Sequence, residues 1–250
     1  MIDLNAIQEG LAKDEFFLEY QPICSLKSNR CVGAEALSRW RRGSTVLLPA
    51  EFMPRVENTP LSGLLTYWVI ETVGRELGGW LRAHAGVHIH INIPPEILGR
   101  GGVAYAATKA GLMDVAGKIV LEVTEKGVPD KLGIQALTNA GRYGTQIALD
   151  DFGLTNENLA LLSRSHIDII KVDKSLVDQL RAENERPQWL EALSALLRVM
   201  PLQVIAEGVE SKVQAEKLKE AGIELVQGWY FSLPLGAQAF EAFARTWRLQ

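Results

Sequence analysis

Short apolar runs, each ending in a polar or charged residue, recur along the chain. The runs are about strand length and rich in Val, Ile, Leu and aromatic residues. They cover residues 16–20, 31–34, 87–93, 118–123, 145–149, 167–172, 202–206 and 225–231. Segments with helical spacing lie between most of them, at 61–80, 131–143, 158–163, 189–199 and 212–221, with a less regular case at 103–111. Gly222 stands where the last of these helices is expected to end.

The alternation of strand and helix predicts a parallel sheet covered by helices. Near-continuous apolar strands fit a sheet that is buried on both faces. About eight such units in 250 residues favour a closed (βα)8 TIM-like barrel. An open doubly wound sheet is the weaker alternative, because no glycine-rich phosphate loop follows the first strand. The connection at 23–31 is too short for a crossover helix, so the first strand is expected to be atypical, forming an antiparallel hairpin with the second.

Composition and charge narrow the class of protein. The hydrophobic fraction of 47% is enough for a continuous core. The net charge of -4 argues against a polymeric nucleic-acid binder, which would show a basic face. Cys24 and Cys31 are too few for a disulfide framework, so they are interpreted as ordinary buried thiols in a reducing compartment. Because neither a leader peptide nor a membrane-spanning stretch is recognisable, the cytoplasm is the expected location.

Polar side chains stand at or near the C-terminal ends of the runs, where a (βα)8 barrel builds its active site. In chain order they are Gln21, Glu35, Arg39, Asn92, Glu122, Glu125, Asp150, Asp151, Lys171, Asp173, Glu207, Glu210 and Gln227. Carboxylates brought together repel one another unless cations neutralise them, and oxygen ligands prefer hard ions such as Mg²⁺ or Mn²⁺. The adjacent Asp150 and Asp151 offer the bridging ligand that two-metal phosphoryl chemistry uses. The pattern therefore predicts a divalent-metal site that acts on a phosphodiester.

Several of these residues have a plainer interpretation. An acidic residue after a strand often caps a helix, and Asp173, followed by Lys-Ser-Leu, is a candidate cap. His88 and His90 are predicted to pack inside the barrel rather than to bind metal. Lys171 also raises the possibility of a Schiff-base lyase. Neighbouring carboxylates such as Asp151 should instead keep that lysine charged.

The ordered set of motifs resembles the EAL-domain family, which comprises cyclic di-GMP phosphodiesterases and their non-catalytic relatives. The signature is GAEALSRW at 33–40, supported by YQPI at 20–23, PAEF at 49–52, Asn92, LEVTE at 121–125, DDFG at 150–153, KVD at 171–173, AEGVE at 206–210 and QG at 227–228. The resemblance extends from about residue 16 to about residue 235. It implies that residues 1–250 form a single EAL-type barrel domain.

The resemblance also implies an activity and a role for each residue. The activity is that of a cyclic di-GMP-specific phosphodiesterase, which opens one phosphodiester bond to give linear pGpG with two Mg²⁺ or Mn²⁺ ions. The implied metal ligands are Glu35, Asn92, Glu122, Asp150 and Asp151, and the implied catalytic residues are Lys171, Glu207, Glu35 and Asp151. Gln21, Leu37, Arg39, Asp173 and Gln227 are expected to contact or brace the nucleotide, with Glu125 and Glu210 as supports. A homodimer and attachment to a sensory or regulatory domain are expected on the same ground.

The loop after the fifth run departs from the family pattern. The family commonly reads DDFGTGYSSL, whereas this chain reads DDFGLTNENL at 150–159. Thr155 replaces the second glycine, and a β-branched residue resists the positive φ that glycine permits. Because this loop orders the second metal in the family, an alternative function is a cyclic di-GMP receptor or protein-interaction module with low or no activity. All of the implied metal ligands are present, so the phosphodiesterase remains the leading hypothesis.

Overall fold

The computed structural model describes residues 2–124, 131–153, 155, 162, 166–180 and 186–248. The strands are β1 (Phe16–Ser25), β2 (Arg30–Arg42), β3 (Thr45–Leu47), β4 (His88–Asn92), β5 (Ile119–Thr124), β6 (Gln146–Phe152), β7 (Ile169–Val172), β8 (Gln203–Ala206) and β9 (Leu225–Gln227). The helices are α1 (Leu4–Ala12), α2 (Pro49–Val56), α3 (Pro60–Ala83), α4 (Gly102–Lys109), α5 (Lys131–Gly141), α6 (Lys174–Val177), α7 (Gln188–Val199), α8 (Lys212–Glu220) and α9 (Ala237–Thr246). Short 3-10 helices cover Pro95–Ile97 and Met113–Lys118.

The strands close into an eight-stranded barrel. Its order is β1, β9, β8, β7, β6, β5, β4 and β2, and a β1–β2 pairing completes the ring. β1 runs antiparallel to both of its neighbours, whereas the pairs from β2 through β4 to β9 are parallel. β3 lies outside the ring and pairs with the end of β2. The predicted barrel with an antiparallel first strand is confirmed, and the open doubly wound sheet is excluded.

The bounds of three predicted strands were wrong. β1 and β2 extend well beyond the runs at 16–20 and 31–34, because they continue through polar residues such as Glu35 that the barrel buries. The last run predicted a strand to residue 231, but β9 ends at Gln227. Gly228 follows directly, with its Cα against the backbone of Val209, and the chain turns there. Of the predicted helix at 158–163, all but Leu162 lies outside the described residues.

The barrel interior has an apolar layer beneath a charged one. Val120, Ala148, Ile169 and Ile205 form a buried interior cluster together with Ile23. Side chains alternate between the two faces of a strand, so the residue two positions after each of these interior residues also faces the barrel interior. Those residues are Glu122 on β5, Asp150 on β6, Lys171 on β7 and Glu207 directly after β8. The strand register therefore brings residues that are distant in sequence together, directly above the buried apolar layer.

The N-terminal elements cover one side of the barrel. Phe16 stacks on Trp40 with ring centroids 5.0 Å apart, and Phe52 of α2 packs edge-on against both rings. Trp40 donates a hydrogen bond from Nε1 to Glu15 Oε2 at 2.9 Å. These contacts fix the start of the β1–β2 hairpin. None of the helices in the described ranges is long and apolar enough to cross a bilayer.

Candidate functional site

Lys171 is the centre of the site at the C-terminal mouth of the barrel. Its side chain is 1% exposed, and its Nζ lies within 3.2 Å of four carboxylates. It donates hydrogen bonds to Glu35 Oε2 at 3.2 Å and Glu122 Oε2 at 2.9 Å. Glu207 Oε1 lies 2.7 Å away and Asp150 Oδ1 3.1 Å away. β2, β5 and β6, together with the residue that follows β8, thus contribute one carboxylate each to a single ammonium group.

Glu35 is also held by two side-chain amides. Asn92 Nδ2 donates to Glu35 Oε1 at 2.9 Å, and Gln227 Nε2 donates to Glu35 Oε2 at 2.8 Å. The same Gln227 nitrogen lies 3.3 Å from Glu207 Oε1. Glu35 thereby connects β2, β4 and β9, and Gln227 extends the connection to Glu207 at the end of β8. Glu35, Asn92, Glu122, Asp150, Lys171, Glu207 and Gln227 are all brought together, as the sequence predicted.

The charges in this cluster do not balance. One ammonium and four ionised carboxylates would leave an excess of three negative charges in a buried site. Burial and the charge of Glu35 raise the pKa of Glu122 well above its usual range. Burial raises the pKa of Glu207 to about 7, although Lys171 opposes that shift. Without a further cation, protons must therefore neutralise part of the cluster.

Glu35 and Lys171 remain charged in the same environment. Burial raises the pKa of Glu35, but Lys171 and the amide donors outweigh it and bring that pKa to about 2. Burial lowers the pKa of Lys171, but the carboxylates outweigh burial and raise that pKa. A lysine held in this way is a poor Schiff-base nucleophile, because only its neutral amine attacks a carbonyl. The geometry therefore argues against the lyase alternative.

His90 is a partner of the site that the sequence did not reveal. It was interpreted as a packing residue, and it is buried, but its Nδ1 lies 2.8 Å from Glu122 Oε1. Burial and the charge of Lys171 lower the pKa of His90 to about 3. The ring is therefore neutral at neutral pH and can donate its one proton to Glu122. The sequence did contain an indication of this contact. His90 and Asn92 are two residues apart on β4, so their side chains lie on the same face of the strand.

The predicted nucleotide contacts divide into two groups. Gln21 and Glu35 are Cα partners on β1 and β2, and Leu37 and Arg39 follow on the same face of β2. Arg39 Nε donates to Glu19 Oε2 at 2.8 Å, an ion pair that the sequence did not suggest. Gln21 donates to the Ser232 carbonyl at 2.9 Å. These residues therefore continue from Glu35 along the same face of the hairpin.

Asp173 and Glu210 are engaged in local contacts instead. Asp173 caps α6 by accepting a hydrogen bond from the Ser175 backbone N–H at 2.9 Å, which confirms the plainer interpretation of its position. Glu210 pairs with Lys174 at 2.7 Å on the exposed rim. Their predicted roles toward a nucleotide or the cluster remain predictions.

Two other predictions concern the chain around β5 and β6. Glu125 lies outside the described residues, as does the altered loop at 154–158 except for Thr155. Asp151 adopts a positive φ of 53°, a conformation that is uncommon for residues other than glycine and tolerated best by Asn and Asp. The backbone therefore leaves the regular strand geometry directly after Asp150.

The chemistry of these donors fits a hard divalent cation. The cluster has carboxylate and amide oxygens, an excess of negative charge and a buried oxygen, Gln227 Oε1, that accepts no hydrogen bond. Among the described residues, however, no three His, Cys, Asp or Glu side chains already converge on one ion position. The Lys171 ammonium occupies the point where the carboxylates meet. Metal binding would therefore require some of these side chains to turn away from Lys171.

The fold and the site define a (βα)8-type barrel protein with an acidic cluster around a lysine at its carboxyl mouth. The sequence profile of the EAL domain matches residues 4–234. The chain belongs to the EAL domain family.

Two curated relatives share about a third of the sequence. The probable cyclic di-GMP phosphodiesterase PdeB of Escherichia coli K12 is 33% identical over 247 residues, which cover 95% of this chain and 46% of that protein. The cyclic di-GMP phosphodiesterase NbdA of Pseudomonas aeruginosa PAO1 is 34% identical over 250 residues, which cover 97% of this chain and 32% of that protein. The chain thus spans less than half the length of either relative.

Two solved structures have the same architecture. The PaMucR phosphodiesterase in complex with c-di-GMP superposes with a TM-score of 0.85 at 28% identity, covering 95% of this chain and 98% of that chain. The EAL enzyme Bd1971, in its cAMP and cyclic-di-GMP bound form, gives a TM-score of 0.82 at 27% identity, covering 95% and 67%. Both similarities cover nearly the whole barrel.

Proposed function

We propose that this chain hydrolyses one phosphodiester bond of cyclic di-GMP to give linear pGpG, and that it requires a divalent metal ion. The observation that carries the proposal is the buried Lys171 ammonium among four carboxylates at the barrel mouth. Membership of the EAL domain family supports the same conclusion. So do the phosphodiesterase names of its relatives and the c-di-GMP complex of a similar barrel.

The hairpin side of the mouth is suited to hold the nucleotide. Arg39 is fixed by Glu19 and by the Ser38 carbonyl, to which its Nη1 donates at 3.0 Å. A guanidinium group held in this way can pair with the non-bridging oxygens of a phosphodiester. Leu37 offers an apolar surface on the same strand face, and Gln21 offers a polar one. We assign these three residues to substrate binding, with Gln227 and Asp173 as bracing contacts.

The cluster supplies the acid–base chemistry. Because the pKa of Glu207 is raised to about 7, this carboxylate is suited to accept a proton from an attacking water near neutral pH. Lys171 keeps its proton, orients Glu35, Glu122 and Glu207, and places positive charge near the reacting phosphate.

The metal ligands belong to the same proposal. Glu35, Asn92, Glu122 and Asp150 would hold a first Mg²⁺ or Mn²⁺, and Asp150 and Asp151 a second. Bound ions of this kind supply Lewis-acid activation of water and neutralise charge on the phosphate. A homodimer and an association with a regulatory domain are part of the proposal as well. The receptor alternative rests on the loop at 154–158, and the described residues provide no observation in its favour.

The test is a turnover assay with metal titration. Purified protein is freed of metal with a chelator, supplied with cyclic di-GMP, and titrated with Mg²⁺ or Mn²⁺ while pGpG is quantified. Glu207→Gln should lose turnover, whereas Glu216→Gln, an exposed partner of Lys212, should not. Nucleotide binding without pGpG at high enzyme concentration would favour the receptor. Turnover that persists in excess chelator would refute the metal requirement.

A further inference from the structure

Cys24 and Cys31 face each other across the β1–β2 hairpin. They are Cα partners in the antiparallel register, and both are free thiols. Opposed residues in antiparallel strands have Cα atoms about 4.5–5.5 Å apart, within the range of about 4.4–6.8 Å found for disulfides. The two cysteines are the only ones in the sequence. The hairpin therefore holds the complete thiol content of the chain at bonding separation.

The local backbone favours contact between the two sulfurs. The register shifts between Ile23 and Cys24, leaving Val32 as the extra residue of a β-bulge, and bulges redirect side chains. A hydrogen bond to Cys31 and burial raise the pKa of Cys24. The same hydrogen bond lowers the pKa of Cys31. The Cys31 thiol in turn donates to the Gly33 carbonyl oxygen at 3.3 Å. Cys31 is therefore the thiol of the pair that ionises first.

Burial restricts which oxidant can reach this pair. Cys24 is 0% exposed and Cys31 is 5% exposed. A protein or glutathione disulfide is too large to approach either sulfur in line, whereas hydrogen peroxide is little larger than water. The opposed Cβ atoms, about 4.5–5.5 Å apart, need to approach by about 1 Å to reach the disulfide mean of about 3.8 Å. Closing the bond is thus a small local movement of the hairpin.

We propose that Cys24 and Cys31 are an oxidation site that forms a reversible intramolecular disulfide with hydrogen peroxide. The Cys31 thiolate attacks one peroxide oxygen, the O–O bond breaks, and Cys31 becomes a sulfenic acid as hydroxide leaves. The Cys24 sulfur then attacks the Cys31 sulfur, and the displaced hydroxide takes the Cys24 proton to form water. Overall, two thiols lose two electrons and two protons, and one peroxide is reduced to two waters.

The two cysteines lie on the same hairpin as residues of the candidate site. Gln21 and Glu35 are Cα partners further along the same hairpin, and Ile23 pairs with Gln227 on β9. The oxidisable pair and the candidate site therefore share one structural element. The oxidation chemistry itself does not depend on the reaction that the site performs.

The test is chemical and uses the purified chain. After peroxide treatment and quenching with catalase, thiols are counted in denaturant and peptides are mapped without reduction. We expect the count to fall from two to zero, with a Cys24–Cys31 cross-linked peptide and recovery in dithiothreitol. Dimedone, which traps sulfenic acids, should label Cys31 in Cys24→Ala but should not label Cys24 in Cys31→Ala.

Three results on the wild-type chain would overturn the proposal, whatever the stability of the variants. The first is two thiols remaining after peroxide treatment. The second is added oxygen on either cysteine without a cross-link. The third is a disulfide that joins two chains, visible on a non-reducing gel.

Discussion

Replacing Lys171 with methionine should destabilise the protein strongly in the absence of metal. The side chain is 1% exposed, and its Nζ contacts four carboxylates at 2.7 to 3.2 Å. Removing one member of a buried ion pair typically costs about 3–5 kcal/mol, because the partner charge is left buried without compensation. With all four carboxylates ionised, the excess of negative charge would rise from three to four, and protonation can relieve only part of it. We therefore expect a loss in that range at pH 7.5 with a chelator present.

The loss of unfolding free energy in Lys171→Met should depend on pH in a defined direction. The folded-state pKa of Glu207 is about 7, above its ordinary value of 4.5, and that of Glu122 is raised as well. A carboxyl group with a raised folded-state pKa contributes stability that is full below its unfolded pKa and lost as pH rises through the folded pKa. Without Lys171 these values rise further. The deficit of Lys171→Met should therefore be largest above pH 7 and shrink toward pH 5.

The assay is urea unfolding followed by far-ultraviolet circular dichroism. Wild type, Lys171→Met and Lys109→Met are compared in chelator at pH 5 and pH 7.5. Lys109 is an exposed lysine that pairs with Glu71 at 2.9 Å, and surface pairs contribute little, so its variant should unfold like wild type. Mg²⁺ or Mn²⁺ should recover part of the lost stability of Lys171→Met. A deficit below about 1 kcal/mol at pH 7.5, or one that grows toward pH 5, would refute this electrostatic account.

Three further substitutions test other parts of the site and fold. Glu35→Ala should abolish pGpG formation while the protein stays folded, and measurable turnover would argue against its proposed role. His90→Phe keeps the site filled but removes the donor to Glu122, so calorimetry should show Mn²⁺ affinity falling about 10- to 100-fold, whereas an unchanged affinity would show that the contact is incidental. Gly228→Ala places a Cβ against the backbone of Val209 and should lower the unfolding free energy by about 3 kcal/mol, whereas Gly79→Ala, at an exposed position of α3 with open space around it, should not. Equal midpoints for the two glycine variants would contradict the close approach at Gly228.

The barrel was predictable because its strands are short apolar runs separated by helical spacing. The antiparallel hairpin was predicted from the short connection between the first two strands. The structure confirms both the barrel and the hairpin. The extent of β1 and β2 was not predictable from hydrophobicity. β1 buries Gln21 and β2 buries Glu35 and Arg39, so burial in these strands is not matched by apolar character.

The membership of the candidate site was predictable, but its contacts were not. Strand ends and motif order indicated Glu35, Glu122, Asp150, Lys171 and Glu207. No local pattern shows that one lysine touches all four carboxylates, because that depends on the register of four separate strands. The hydrogen bond from His90 and the Arg39–Glu19 ion pair likewise arise from pairing across strands.

The most direct measurement of the central claim is the reaction product formed in ¹⁸O-labelled water. Cyclic di-GMP is incubated with the metal-loaded protein, and the product is analysed by mass spectrometry. Hydrolysis by an attacking water predicts linear pGpG with one labelled oxygen, carried on its terminal phosphate. Intact cyclic di-GMP under saturating Mg²⁺ and Mn²⁺, or a product without the label, would contradict the account.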